Sequence, residues 1–170
     1  MKVTLAKTAG FCFGVQRAVD TVYRVLEEEH EKPADEQRPI YTYGPIVHNE
    51  TVIQKLAAEG VRVLESEEEL ATLRDGIVII RAHGVPKHIY ELLEEQRVEA
   101  VDASCPFVQK IQRLVQQHTA AGETVFVTGN PEHPEVIGIM GWAEGGISAI
   151  PDIETAEKLP NGEGRSVVLV

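Results

Sequence analysis

Apolar and polar positions along this chain change period repeatedly, from short apolar runs to helical stripes and back. Val3–Ala6 reads as a short strand. From Gly14 to about Glu29, the residues Val15, Ala18, Val19, Val22 and Leu26 recur at helical spacing and predict an amphipathic helix. Pro39–Tyr43 is strand-like, Asn49–Glu59 a short helix closed by Gly60, and Val61–Leu64 another strand. Ser66 and Glu69 have the spacing of a capping box and open a further helix. Ile77–Ile80 is apolar at every position, as expected of a strand covered on both faces. Helices at Pro86–Gln96, Pro106–Ala121, Pro134–Ala143 and Ile153–Leu159 then alternate with strands at Ala100–Asp102, Thr124–Thr128, Ile147–Ile150 and Ser166–Val170. This rhythm predicts the α/β class, built from repeated small α/β domains with mainly parallel sheets.

The same order of landmarks occurs twice. Cys12, His48 and Ile77–Ile80 mark the first pass; Cys105, His133 and Val167–Val170 mark the second. The two cysteines are 93 positions apart, the two histidines 85 and the third strands 90. The expected division is a first α/β lobe over residues 1–97 and a second over 98–170. The first pass continues beyond its third strand into Arg81-Ala82-His83-Gly84 and another helix, whereas the second stops at Val170 inside an apolar run. A truncated second lobe is the expectation, with a terminal strand that completes its sheet as the alternative.

Composition narrows the function classes. The 170 residues are 43% hydrophobic, enough to form a core, which excludes global disorder. A formal net charge of −11 argues against a general binder of nucleic acid or anionic membranes, which needs a large basic patch. The N-terminus shows no signal-peptide pattern, and no segment reaches the length of a membrane span. A cytoplasmic protein is expected, in which two cysteines are free, metal-bound or catalytic rather than disulfide-paired.

Cys12 and Cys105 each stand where a helix is predicted to begin, Cys105 directly before Pro106. Unpaired N–H groups and the positive end of the helix dipole favour a thiolate there, the form that iron and zinc bind. Buried structural cysteines are the competing reading, weakened by the repeat-equivalent positions of the two. Two thiolates alone do not complete a zinc or cluster site. His48, His83 and His133 all follow predicted strands, where ligand sites of α/β proteins gather, and such rings can hydrogen-bond a diphosphate. His30, His88 and His118 read as solvated, as do the charge runs Glu27–Glu31 and Glu65–Glu69. Glu135 is a candidate proton donor, or simply a glutamate at a helix N-terminus. No Walker-type loop or dinucleotide fingerprint is present.

Five blocks in order carry a resemblance: Gly10-Phe11-Cys12-Phe13-Gly14-Val15, Gly44-Pro45-Ile46-Val47-His48-Asn49, Arg81-Ala82-His83-Gly84-Val85, Asp102-Ala103-Ser104-Cys105-Pro106 and His133-Pro134-Glu135-Val136. Together, over essentially the whole chain, they resemble the 4-hydroxy-3-methylbut-2-enyl diphosphate reductase family. The resemblance implies a trefoil of three α/β lobes around a 4Fe-4S cluster, of which two are present here. It implies reductive dehydroxylation of (E)-4-hydroxy-3-methylbut-2-enyl diphosphate to isopentenyl and dimethylallyl diphosphates, the last step of the methylerythritol phosphate pathway.

Cys12 and Cys105 match two of the family's three cluster ligands. His48, His83 and His133 match its diphosphate-binding histidines, and Glu135 its proton-supplying glutamate, with His133 nearby. A flavodoxin- or ferredoxin-like electron donor is implied as partner. The third cysteine and the Ser-x-Asn contacts to diphosphate are expected beyond Val170, the cysteine about 90 residues after Cys105. Two other classes remain: a non-catalytic diphosphate-binding module, and a Cys/His metal-binding protein.

Overall fold

A computed structural model describes residues 2–159 and 166–170. The expected strand at Val3–Ala6 is not formed: the segment is irregular, with Val3 79% and Leu5 84% exposed. A strand needs a neighbour to take its backbone hydrogen bonds. Among the described residues none pairs with this one.

The first sheet contains β1 (Ile40–Tyr43), β2 (Arg62–Leu64), β3 (Ile77–Ile80) and β4 (Glu99–Asp102) in the order β2-β1-β3-β4, every pair parallel. All four residues of β3 are buried because helices cover both faces of the sheet. On one face lies α1 (Phe13–His30), whose Ala18, Val22 and Leu26 pack with Ile77, Ile79 and Ile40. On the other, α3 (Glu67–Thr72) and α4 (Lys87–Gln96) supply Leu70, Ile89 and Leu93 against Val78 and Ile80. Fully burying one such aliphatic side chain contributes about 1.5–3 kcal/mol, so this double-sided packing dominates the fold's stability. The short helix α2 (Glu50–Ala58) links β1 to β2 and is capped by Asn49, whose side chain accepts from Val52 N.

The second sheet has β5 (Thr124–Thr128), β6 (Ile147–Ile150) and β7 (Val167–Leu169) in the order β6-β5-β7, again parallel. Its core joins α5 (Pro106–Ala120) and α6 (Pro134–Met140) to β5 through Val108, Val115, Val125, Val127 and Ile139. The short α7 (Ile153–Glu157) follows β6. The order β6-β5-β7 reproduces β2-β1-β3, so the repeat of landmarks is a repeat of topology.

Two readings of charge are corrected. Within Glu27–Glu31, Glu29 is buried at 3% exposure rather than solvated. It meets Lys32 Nζ at 2.5 Å and Arg38 Nη2 at 3.1 Å, and accepts from Arg38 N at 2.9 Å. Arg38 also reaches Glu99 Oε2 at 2.7 Å. Burial alone would raise the Glu29 carboxyl; these donors overcome it and hold it at about 2. The network joins the last turn of α1, the entry to β1 and the start of β4. His118 is likewise half-buried and paired with Glu123. His88 is exposed, bonded to Glu67, and His30 is exposed.

Candidate functional site

Parallel strands end on one edge of each sheet; His48, His83, Cys105 and His133 occupy loops that leave those ends, whereas Cys12 stands in the irregular segment before α1 and Glu135 in the first turn of α6. Three of these loops are joined through their backbones. Ala82 N donates to Ile46 O at 3.2 Å, and Cys105 N donates to Ala82 O at 2.9 Å. The His48, His83 and Cys105 loops therefore hold fixed positions relative to one another.

Cys12 and Cys105 are the N-cap residues of α1 and α5. Neither side chain caps its helix, neither is in a disulfide, and neither first turn carries an acidic residue to oppose a negative sulfur. Cys12 is exposed and Cys105 half-buried. A methyl group placed on Gly14 would lie 2.5 Å from Cys105 Sγ and 3.0 Å from its Cβ. Only a glycine lets that sulfur settle on the first turn of α1, two residues from Cys12. The two thiols thus belong to one neighbourhood although they are 93 positions apart.

The Cys105 loop is held by polar contacts. Asp102 Oδ1 accepts from Ser104 N at 2.8 Å and Ser104 Oγ at 2.5 Å, and its Oδ2 accepts from Gln109 Nε2 at 2.9 Å. Arg17, on α1, donates to Ser104 O at 2.7 Å and so ties the helix of one cysteine to the loop of the other. Burial and the adjoining Asp102 raise the Tyr90 hydroxyl, which stays protonated beside the same carboxylate.

The three histidine rings form a row. His48 and His83 centroids are 4.5 Å apart, and those of His83 and His133 are 6.3 Å apart, edge to face. Burial, then the charges of His48, Arg81 and His133, push the His83 ring down to about 4, so it is neutral near pH 7. Its Nδ1 is buried and meets no hydrogen-bonding atom among the described residues. His133 caps α6: its Nδ1 accepts from Glu135 N at 3.2 Å, which puts the hydrogen of the neutral ring on Nε2. Glu135, half-buried, lines a cavity of about 420 Å³ with His133, Thr128, Asn130 and apolar residues including Ile139. His48, His83 and the cysteines do not border that cavity.

The structure therefore brings Cys105 against the first turn of the helix that Cys12 caps, and sets His48, His83 and His133 in a row with Glu135 beside His133. No group of three or more His, Cys, Asp or Glu side chains among the described residues is arranged to hold a metal ion by itself. The chemistry available is two soft sulfur donors and a row of neutral-capable imidazole donors and acceptors. Sequence reasoning missed Arg17 and Gln112. Gln112 had a signal: it falls on the buried stripe of α5 with Val108, Val115 and Thr119.

Parallel sheets carrying two free cysteines and a row of three histidines on neighbouring loops define an α/β chain with a Cys/His site. The chain belongs to the LytB protein family, whose family model matches residues 3–170. It is 41% identical over 160 residues to 4-hydroxy-3-methylbut-2-enyl diphosphate reductase of Alkaliphilus oremlandii, covering 94% of this chain and 54% of that protein. The solved structure of the E-1-hydroxy-2-methyl-but-2-enyl-4-diphosphate reductase from Plasmodium falciparum superposes with a TM-score of 0.85 at 29% identity, covering 96% of this chain and 49% of that one. A second solved structure, of an (E)-4-hydroxy-3-methyl-but-2-enyl diphosphate reductase described as the terminal enzyme of the non-mevalonate pathway, gives 0.74 at 35% identity over 89% and 52%. The chain spans about half the length of the curated relatives it matches. No helix among the described residues is long and apolar enough to cross a membrane.

Proposed function

We propose that this chain supplies two of the three lobes of a reductase of (E)-4-hydroxy-3-methylbut-2-enyl diphosphate, with residues 1–97 and 98–170 as those lobes and β4 as the strand that ties the second onto the first sheet. Cys12 and Cys105 would each give a thiolate to a 4Fe-4S cluster, and further ligands come from outside them. The donor set fits that group in kind: two free sulfurs at helix N-termini, one seated on the glycine turn beside the other. When bound, such a cluster would supply single electrons and Lewis-acid character for loss of the hydroxyl group.

The protein's own part is to bind and orient. His48, His83 and His133 hydrogen-bond the diphosphate, and the unpartnered Nδ1 of His83 supports this reading, since a buried ring nitrogen calls for a partner. Anchoring the diphosphate fixes the allylic end beside the sulfurs. Glu135 is the carboxyl assigned to proton delivery, from the cavity it lines beside His133, whose ring is oriented by its capping bond. A flavodoxin- or ferredoxin-like protein delivers electrons, and the reaction belongs to the cytoplasm.

The observation that carries the proposal is the seat of Cys105 Sγ on Gly14, beside Cys12. Anaerobic reconstitution of the chain with ferrous iron, sulfide and an added small thiol tests it. Bound iron and sulfide with cluster absorbance, lost in Cys12→Ser and in Cys105→Ser, is expected. Stoichiometric zinc with neither iron nor sulfide retained would overturn it in favour of a Cys/His metal-binding protein.

A further inference from the structure

The His48 and His83 loops leave the same sheet, but His133 comes from the second sheet, so its distance from His83 depends on how the two sheets are joined. The join is a backbone contact. A methyl group on Gly138 would lie 3.3 Å from both C and O of Gly84 and 3.4 Å from His83 O, so α6 rests on the backbone of His83 and Gly84. One on Gly141 would lie 2.4 Å from Pro86 Cβ and 2.8 Å from its Cα. Between them the side chain of Gln112, 2% exposed, points its amide nitrogen at Val85 O and Gly138 O, both at 3.4 Å. Lys87 N donates to Gly141 O at 3.3 Å, and Trp142 Nε1 donates to Val85 O at 2.9 Å.

We propose that Gln112, Gly138 and Gly141 act as a positioning clamp that sets the His83–His133 step and thereby fits the histidine row to a diphosphate rather than to a single phosphate. The proposal rests on the histidine reading given above. The clamp touches the chain on both sides of that step: the backbone of His83 and Gly84 on one, and the helix that His133 caps on the other. An added methyl on Gly138 displaces α6 from the His83 loop by a few tenths of an ångström, and one on Gly141 by more. The 4.5 Å step from His48 to His83 lies within the first sheet's loops and is independent of the clamp. A lone phosphate can seat on that closer pair, whereas a diphosphate is long enough to reach His133 as well. Loosening the clamp therefore weakens only the longer ligand.

Calorimetry of the 170-residue chain with inorganic pyrophosphate and with orthophosphate tests this, using Gly138→Ala and Gln112→Leu. Each is expected to weaken pyrophosphate about tenfold, the loss of one good hydrogen bond to an anion, and orthophosphate by less than about twofold. Leu70→Val, destabilising but remote from the histidine loops, is expected to leave the ratio of the two affinities unchanged. An unchanged ratio in both clamp variants, while His83→Ala and His133→Ala still weaken pyrophosphate, overturns the clamp alone. Pyrophosphate binding that is absent, or insensitive to both histidine variants, overturns the histidine reading and the clamp with it.

Discussion

Replacing Glu29 by Gln removes one negative charge from the network that fastens the base of the first sheet. Glu29 sits in the last turn of α1, whose first turn adjoins both cysteines; its partner Arg38 also grips Glu99 at the start of β4, the strand that leads to Cys105. The fall of the carboxyl from its ordinary 4.5 to about 2 corresponds, at about 1.4 kcal/mol per pH unit, to a ceiling of about 3 kcal/mol. Lys32 and Arg38 are 38% and 31% exposed, so water and salt screen part of the attraction, and about 1–2 kcal/mol is expected at neutral pH. Because the folded carboxyl titrates below the unfolded one, this stability is complete above pH 4.5 and is lost as pH falls toward 2. Urea unfolding of both proteins at neutral pH and at successively lower pH gives the difference directly. The expected result is a gap that is widest at neutral pH and closes through that acid window. A gap of constant size from neutral to acid would refute ionisation of Glu29 as its source, leaving only shape or side-chain packing.

Gly14→Ala is expected to cost about 1–3 kcal/mol, since its methyl overlaps Cys105 Sγ; the urea midpoint checks it. His133→Ala should lose about 1 kcal/mol with its cap, whereas His133→Asn keeps a capping oxygen and most of that stability; both should lose pyrophosphate affinity in calorimetry, which separates the cap from the binding ring. Arg97→Gly should raise stability by about 1 kcal/mol, because Arg97 closes α4 with φ of 57°, a left-handed conformation that glycine adopts without strain; thermal unfolding checks it.

Much of the fold was legible because its signals are local. The stripe of Val15, Ala18, Val19, Val22 and Leu26 describes the buried face of α1, and the unbroken Ile77–Ile80 run describes a strand covered on both sides. Ser66 accepts from Glu69 N as its spacing predicts, while the Glu69 carboxylate accepts from Glu65 N rather than from the N–H of the cap residue. Failures came where pairing is decided at a distance. Val3–Ala6 has strand composition and no neighbouring strand among the described residues, and composition cannot provide one. Glu29 stands in a run of acids that looks solvated; only Lys32 and Arg38, brought around by the turn before β1, make its burial tolerable.

The candidate site divides in the same way. Cys105 and the three histidines could be picked out by their places after strands and before helices, and Cys12 by its place before a helix alone. Their mutual distances could not, because these depend on Gly14, Arg17, Ala82 and Gln112. The repeat was the strongest sequence signal, since matching landmarks in two passes imply matching loops, and the equal strand orders of the two sheets give that implication its physical form.

The central claim is that Cys12 and Cys105 turn their sulfurs toward one point. A trivalent aromatic arsenical, which is held firmly only when two thiols bind the same arsenic, tests it on the reduced chain. The account predicts one arsenic per chain, resistant to a competing monothiol, with both thiols protected together and all tight binding lost in Cys12→Ser or Cys105→Ser. Two thiols that react independently and release the arsenical to a monothiol would contradict it.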